Sequence, residues 1–326
     1  MKVSSITRSG FTALAFAACA AIAHASPLPG HYHVAPVQFE TRDTFLYAVN
    51  ANGVAAGYQG STSHGVVWQD DAPRVLSCQG DNAPYSDAFA INDAMQVAGS
   101  CYLNGANYAV VWDAAGNPTK VPNDTVQPQA AAGINNLGHV VGDAGGVAYV
   151  WKGSGKVKLL GTLGGTTSNA MAINDKGWIV GGSQTAGNAT TQAFVYRNGQ
   201  MENLNWGGDY ATASAVNDRG HIVGWRYTGS SFAEHAILDD GVSVTDLGRH
   251  SDARGINHLD QVVGSWSGHG FIYTHGRMYD LNTLLESTTP TGWNIVIAYA
   301  INDSGVIVGW GTFNGAYQPV VLTPTP

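Results

Sequence analysis

Charge is scarce in this chain: Asp, Glu, Lys and Arg make up 12% of 326 residues, and the basic ones are fewer, 15 against 23. A chain so poor in Lys and Arg has no electrostatic footprint for phosphate backbones, which excludes nucleic acid as a partner. Long apolar runs are missing too. After the first 25 residues no stretch approaches the roughly 20 residues that a membrane helix needs, so no membrane span is expected. No glycine loop opens a helix to cradle phosphate, because the glycines of segment 160–165 lie between strand-like runs. The three cysteines show neither metal-ligand spacing nor a neighbouring histidine of a nucleophile motif. The chain is therefore expected to hold no metal and no cofactor.

The front of the chain carries Lys2 and Arg8, an apolar run over 11–23 broken only by Thr12, and Ala23-His24-Ala25 before Ser26. That order is the pattern of a secretory signal peptide, so residues 1–25 are expected to be removed and the mature chain to be secreted or periplasmic. Loss of Lys2 and Arg8 leaves 13 basic against 23 acidic residues, a net charge of −10. Cys19 lies in the leader, which leaves Cys78 and Cys101 as an even pair bound for an oxidising compartment. Such a pair is expected to form a disulfide.

What the sequence does have is repetition. Asn50, Asn92, Asn135, Asn174, Asn217, Asn257 and Asn302 stand 39 to 45 residues apart, and seven residues after each comes a glycine, preceded by Val in five copies and by Ala at Gly57 and Gly99. A period of about 42 residues in seven copies means one repeat architecture, expected to fill 26–326 as a single domain. Each copy opens with a short, small-sided run such as Asn169-Ala170-Met171-Ala172-Ile173, followed by Asn174-Asp175-Lys176-Gly177. An Asn side chain can bond the backbone two residues on, and Gly supplies positive φ, so this reads as a tight hairpin turn. Met95 and Asp260 replace that glycine in two copies, and the hairpin is expected to survive there.

A second strand ending in Val-Gly, a third such as Ala193-Phe194-Val195-Tyr196 and a fourth after Asn198-Gly199 complete the unit. Four short antiparallel strands per repeat make a propeller blade, and the expected fold is an all-β, seven-bladed β-propeller. The seventh copy lacks a fourth strand, whereas 31–39 precedes the first copy where a fourth strand would stand. Pairing of that N-terminal strand with segment 318–322 would close the last blade and leave no long edge. A stacked solenoid is the rival, and it predicts polar capping repeats that neither end shows.

The motif Ala-x-x-Ile-Asn-Asp-x-Gly-x-Val-Val-Gly, the segments His235-Ala236-Ile237, Gln192-Ala193-Phe194 and His269-Gly270-Phe271, and Leu160-Gly161-Thr162-Leu163-Gly164-Gly165 resemble the extracellular HAF-type repeat proteins of bacteria. The resemblance covers about residues 30 to 325 and implies export and a propeller-like β fold. The family brings no established catalytic residues to carry over. Tyr108, Val147 and Gln318 stand where the family motif has histidine.

Alternating strands put the turns after the first and third strands on one rim and the longer, more varied loops on the other. Irregular loops on a rigid scaffold are where binding groups gather. Aromatics concentrate there in the later blades: Trp206, Tyr210, Trp225, Tyr227, Trp266, Trp293 and Trp310. Indoles beside Asp and Asn suit a sugar, which has an apolar face and a polar edge; the alternative is that they fill gaps between blades. A second set, Arg42, Asp43, Asp87, His250, Asp252 and Arg254, falls at or just before first strands. Paired carboxylates there could do the acid–base work of a lyase or glycosidase, or be solvated loop charges. His64, His235 and His269 share one repeat position, hence lie about a blade or more apart, and read as structural hydrogen bonders.

The expected function is a non-catalytic binding module, its partner a glycan or an envelope or extracellular protein. The competing reading is a carbohydrate-active enzyme, which would need two or more of Asp43, Asp87, His250, Asp252 and Arg254 at one cavity. A purely structural spacer would need neither feature.

Overall fold

The turn after the first strand sets the geometry of each repeat. In the computed structural model, which describes residues 30–35, 44–60, 63–69, 72–78, 85–122, 126–229 and 233–325, Asn174 N donates to the Trp178 carbonyl and Gly177 N returns to the Asn174 carbonyl, both at 3.0 Å. The Asn174 side-chain oxygen accepts from Trp178 N at 2.8 Å. Gly177 has φ +79°, and the substitutes Met95 and Asp260 hold the same left-handed region at +62° and +59°. The hairpin therefore survives in the two divergent copies, as expected.

Strand pairing then gives seven separate four-stranded antiparallel sheets. Blade four shows the pattern: Gly164–Ile173, Ile179–Thr185, Thr191–Arg197 and Gln200–Asn203, called a to d from the axis outward. Every strand a carries a β-bulge three residues before its asparagine, at 47, 89, 132, 171, 214, 254 and 299. A bulge interrupts the alternation of faces and re-aims one side chain. It also explains the seven glycines. A Cβ on Gly57, Gly99, Gly142, Gly181, Gly224, Gly264 or Gly309 would lie 1.9 to 2.1 Å from the carbonyl oxygen five residues before the corresponding asparagine.

The blades are joined by the same asparagines that shape the turns. Each donates its Nδ2 to the backbone carbonyl of the next one, at 2.9 to 3.2 Å, from Asn50 to Asn92 and onward. Asn302 donates to the Asn50 carbonyl at 2.9 Å and closes a ring of seven. The core lies between sheets. Ala98, Ala109 and Val111 of blade two, for example, pack on Ala131, Val140 and Tyr149 of blade three. Leu46, Ala55 and Trp68 of blade one pack on Val308 and Val321 of blade seven.

The strand His31–Ala35 supplies the missing fourth strand. It pairs with the end of Ala316–Thr325, from His31 opposite Thr325 to Ala35 opposite Val321. The pairing thus reaches three residues beyond the expected Leu322, because strand c runs on to Thr325. Residues 36–39 of the expected strand, the leader 1–25, Arg42 and Asp43 lie outside the described residues.

Cys78, just past strand d of blade one, forms a disulfide with Cys101, with a Cα–Cα distance of 6.0 Å. Cys101 sits within strand b of blade two, Val97–Leu103, one step earlier in the loop order than its sequence position implied. The bond ties neighbouring blades across 23 residues. Replacing both cysteines with alanine is expected to lower stability by about 3 kcal/mol in the loop-entropy account. A urea midpoint unchanged in the double variant would contradict that account. Among the described residues no helix is long and apolar enough to cross a membrane.

Candidate functional site

The two mouths of the central channel differ. On the a–b turn side, the seven asparagines and the residues after them surround a cavity of about 260 Å³. Its carboxylates are committed to the scaffold: Asp93, Asp175, Asp218 and Asp303 each accept a backbone N–H from the preceding blade at 2.7 to 2.8 Å. His258 stands between two of these carboxylates, its Nε2 3.2 Å from Asp218 and its Nδ1 2.9 Å from Asp303.

Inside the channel, towards the b–c and d–a loops, the bulged residues take over. Tyr47, Phe89, Met171, Arg254 and Tyr299 line a space of about 210 Å³ with alanines, glycines and isoleucines between them. The rings form a connected series. Tyr47 meets Tyr299 edge-on at 5.3 Å and Phe89 at 6.4 Å, while Phe45 stacks on Tyr47 at 6.3 Å and meets Trp310 at 6.1 Å. Burial, with the nearby Tyr299, Asp87 and Tyr58 adding to it, pushes the Tyr47 phenol up to about 12, so it is a neutral donor across the physiological range.

Of the proposed acid–base set, Asp252 and Arg254 are joined. Asp252 is 2% exposed; its Oδ2 pairs with Arg254 Nε and Nη2, and its Oδ1 accepts from Ser265 N and Oγ. A carboxylate so fully occupied is a positioning group for the arginine. Asp87 stands on the blade-two strand, Tyr85–Ile91, and accepts from Ser100 Oγ at 3.3 Å. Burial raises its carboxyl pKa, with the Ser100 bond partly offsetting the rise. His250 is exposed on the loop between blades five and six, and Asp43 lies outside the described residues.

A folded pKa above the ordinary 3.8 means that the native state favours the protonated acid. The resulting cost is absent below that ordinary value, grows as pH rises from it towards the folded value, and is fully present above the folded value. Asp87→Asn is therefore expected to raise the melting temperature at neutral pH, with the gain disappearing below about pH 4. A gain that persists unchanged in acid would rule out carboxyl desolvation as its source.

The proposed ligand-binding aromatics fall into distinct places. Trp206 is 3% exposed, packs in the core between blades four and five and donates its indole N–H to Asp239 at 2.8 Å. Trp293 packs on Phe313 at 5.2 Å and on the blade-seven core. Trp310 joins the channel series through Phe45 and touches Tyr317 at 5.4 Å. Trp266 is exposed in blade six.

Tyr210, Trp225 and Tyr227 come together on strands a and b of blade five. Tyr210 and Trp225 stack at 5.2 Å with an interplanar angle of 12°, and Tyr227 stands against Trp225 at 5.0 Å. Tyr210 is 37% exposed and walls a cleft of about 230 Å³ whose other groups include Asp143, Asn169, Gln184 and Thr191. Burial raises the Asp143 pKa, offset by donation from Gly146. The Asn169 amide donates only to the weakly accepting Met171 sulfur, at 3.2 Å, among the described residues. His235 bonds Asp246 at 2.9 Å, and His269 lies 3.3 Å from Asp280, each within its own blade.

The residues that sequence reading missed are Phe45, Tyr47, Phe89 and Tyr299 in the channel and Asp143, Asn169, Gln184 and Thr191 in the cleft. One signal was present for part of the channel set: the position three before the asparagine varies freely between small neighbours, as in Ala88-Phe89-Ala90 and Ala298-Tyr299-Ala300.

No family model matches the chain, and no curated protein does. Solved structures do match. A streptogramin B lyase aligns with a TM-score of 0.59 and 12% identity over 90% of this chain and 98% of its own. A catalytically inactive virginiamycin B lyase from Staphylococcus aureus, with quinupristin, gives the same TM-score and identity over 90% and 99%. A chain of a mitotic checkpoint complex aligns at 0.55 and 12% identity over 100% and 99%. At such identities the likeness is one of fold. The fold serves a lyase in one neighbour and a multiprotein assembly in another, so function must be argued from the site.

Proposed function

We propose that this protein is an exported, non-catalytic binding module, one of the HAF-type repeat proteins, that takes a sugar ring in the cleft beside Tyr210. The observation that carries this reading is the Tyr210–Trp225 stack, which offers a partly exposed ring held flat by a second ring behind it. A pyranose lays its C–H face on such a ring and turns its hydroxyls to polar neighbours. Asn169, Gln184, Thr191 and Asp143 supply donors and acceptors on the same cleft. Its volume of about 230 Å³ lies below the roughly 300–1,000 Å³ of clefts that enclose drug-sized ligands, which favours one sugar unit over an oligosaccharide. The disulfide supports export, since such bonds persist in oxidising compartments.

The test is a glycan array probed with the purified protein and with Tyr210→Ala and Trp225→Ala variants shown to be folded. Loss of about 1–2 kcal/mol, roughly tenfold in affinity, is expected from either, with Trp266→Ala unchanged as the control. Binding that both variants retain, or no binding to any glycan, sinks the sugar reading. Release of a shortened glycan would replace the binding role with the competing catalytic one.

A further inference from the structure

The channel interior is a separate site from the rim cleft, with one guanidinium set among aromatic rings. The bulge of strand a puts one side chain per blade at this level, and only blade six contributes a charge there, Arg254. Arg254 is held edge-on by the buried Asp252, which is itself fixed by Ser265. Its Nη1 makes no hydrogen bond to a described side chain or backbone group. The next three blades in order, seven, one and two, supply Tyr299, Tyr47 and Phe89. Those rings meet at angles, 74° between Tyr47 and Tyr299 and 40° between Tyr47 and Phe89, so their faces turn in different directions rather than stacking flat.

Aromatic rings lining one space attract an organic cation through their quadrupoles and ask for no hydrogen bond in return. The remaining guanidinium edge of Arg254 suits a carboxylate. A simple cation would meet the Arg254 guanidinium in the same space, and a simple anion would leave the ring faces unused. A molecule carrying both charges meets each with its complement. We propose that the channel binds a small zwitterion of the betaine type, its methylated ammonium against Tyr47, Phe89 and Tyr299 and its carboxylate on Arg254. The space of about 210 Å³ holds a molecule of that size. This inference stands independently of the sugar reading.

The experiment is calorimetric titration of glycine betaine into the purified protein, with choline and acetate as probes of each half. Betaine is expected to bind saturably, and choline and acetate each about tenfold more weakly or worse. Arg254→Gln and Tyr299→Leu are each expected to weaken betaine by about tenfold, and Trp225→Ala to leave it unchanged. If Arg254→Gln does not fold, Tyr47→Leu together with the order of the three probes on the unaltered protein decides. Absence of saturable betaine binding, choline or acetate binding as tightly as betaine, or full affinity in the folded channel variants would each overturn the proposal.

Discussion

Gly181→Ala is expected to destabilise the protein by more than about 3 kcal/mol, because its added methyl has nowhere to go. The new Cβ would lie 2.0 Å from the Asn169 carbonyl oxygen, with Asn169 C and Ala170 Cα behind it at 3.0 and 3.1 Å. All three are backbone atoms of strand a, and that strand is already fixed by its bulge and by the ring of asparagines. A flexible side chain could turn aside, but these atoms can move only by shifting the innermost strand of the blade. The gain of roughly 0.4–1 kcal/mol that alanine brings by restricting the unfolded chain does not offset this. Gly199→Asn is the control. Gly199 has φ +82° and open space around it, and Asn tolerates that region, so a cost below about 1 kcal/mol is expected. Urea unfolding of both variants separates crowding from backbone freedom. Equal losses at the two sites would refute the crowding account.

Asn174→Asp is expected to cost about 3 kcal/mol or more, although the two side chains have the same shape. Asn174 is 5% exposed and does two jobs. Its oxygen caps the turn by accepting from Trp178 N, and its Nδ2 donates to the Asn217 carbonyl in the next blade at 2.9 Å. Aspartate performs the first job as well as asparagine does. For the second it places a buried carboxylate oxygen against a carbonyl oxygen, with loss of the hydrogen bond and added repulsion. Asn174→Ala loses both bonds without adding a charge and is expected to cost about 2–3 kcal/mol. Aspartate should therefore be at least as damaging as alanine. Thermal melts of the two variants decide: a near-wild-type aspartate variant would mean that only the turn cap matters and that the ring adds nothing. The same comparison at Asn302, whose amide closes the ring onto Asn50, tests the closure itself.

The asparagines show how legibility divides. Their turn-forming role could be read because its partners lie two and four residues away, as with Asn135 and the N–H groups of Leu137 and His139. Their inter-blade role could not, because the acceptor lies 39 to 45 residues on and is brought near only by blade packing. The glycines divide in the same way. Their regularity was plain, and a small-residue requirement at the crowded axis was foreseeable, but the atom that excludes a side chain is a carbonyl exposed by a bulge. Cys78 and Cys101 were readable as a pair on neighbouring blades because the repeat fixes both positions. Trp206 looked like Trp225 in the sequence. Only packing made one an interior residue bonded to Asp239 and the other the back of an exposed stack.

By itself the sequence determined the repeat, the seven blades of four antiparallel strands, and the need for an N-terminal strand to complete the last one. Those features follow from local rules repeated in register: turn chemistry, β-rich runs, and an edge that must be paired. Only the tertiary structure decided which side chains face the channel and the cleft. Strand alternation predicts faces only where it is unbroken, and the bulge before every asparagine breaks it at the positions that carry Tyr47, Phe89, Arg254 and Tyr299. The choice among identical-looking aromatics was likewise made by contacts between blades, which no spacing within one repeat encodes.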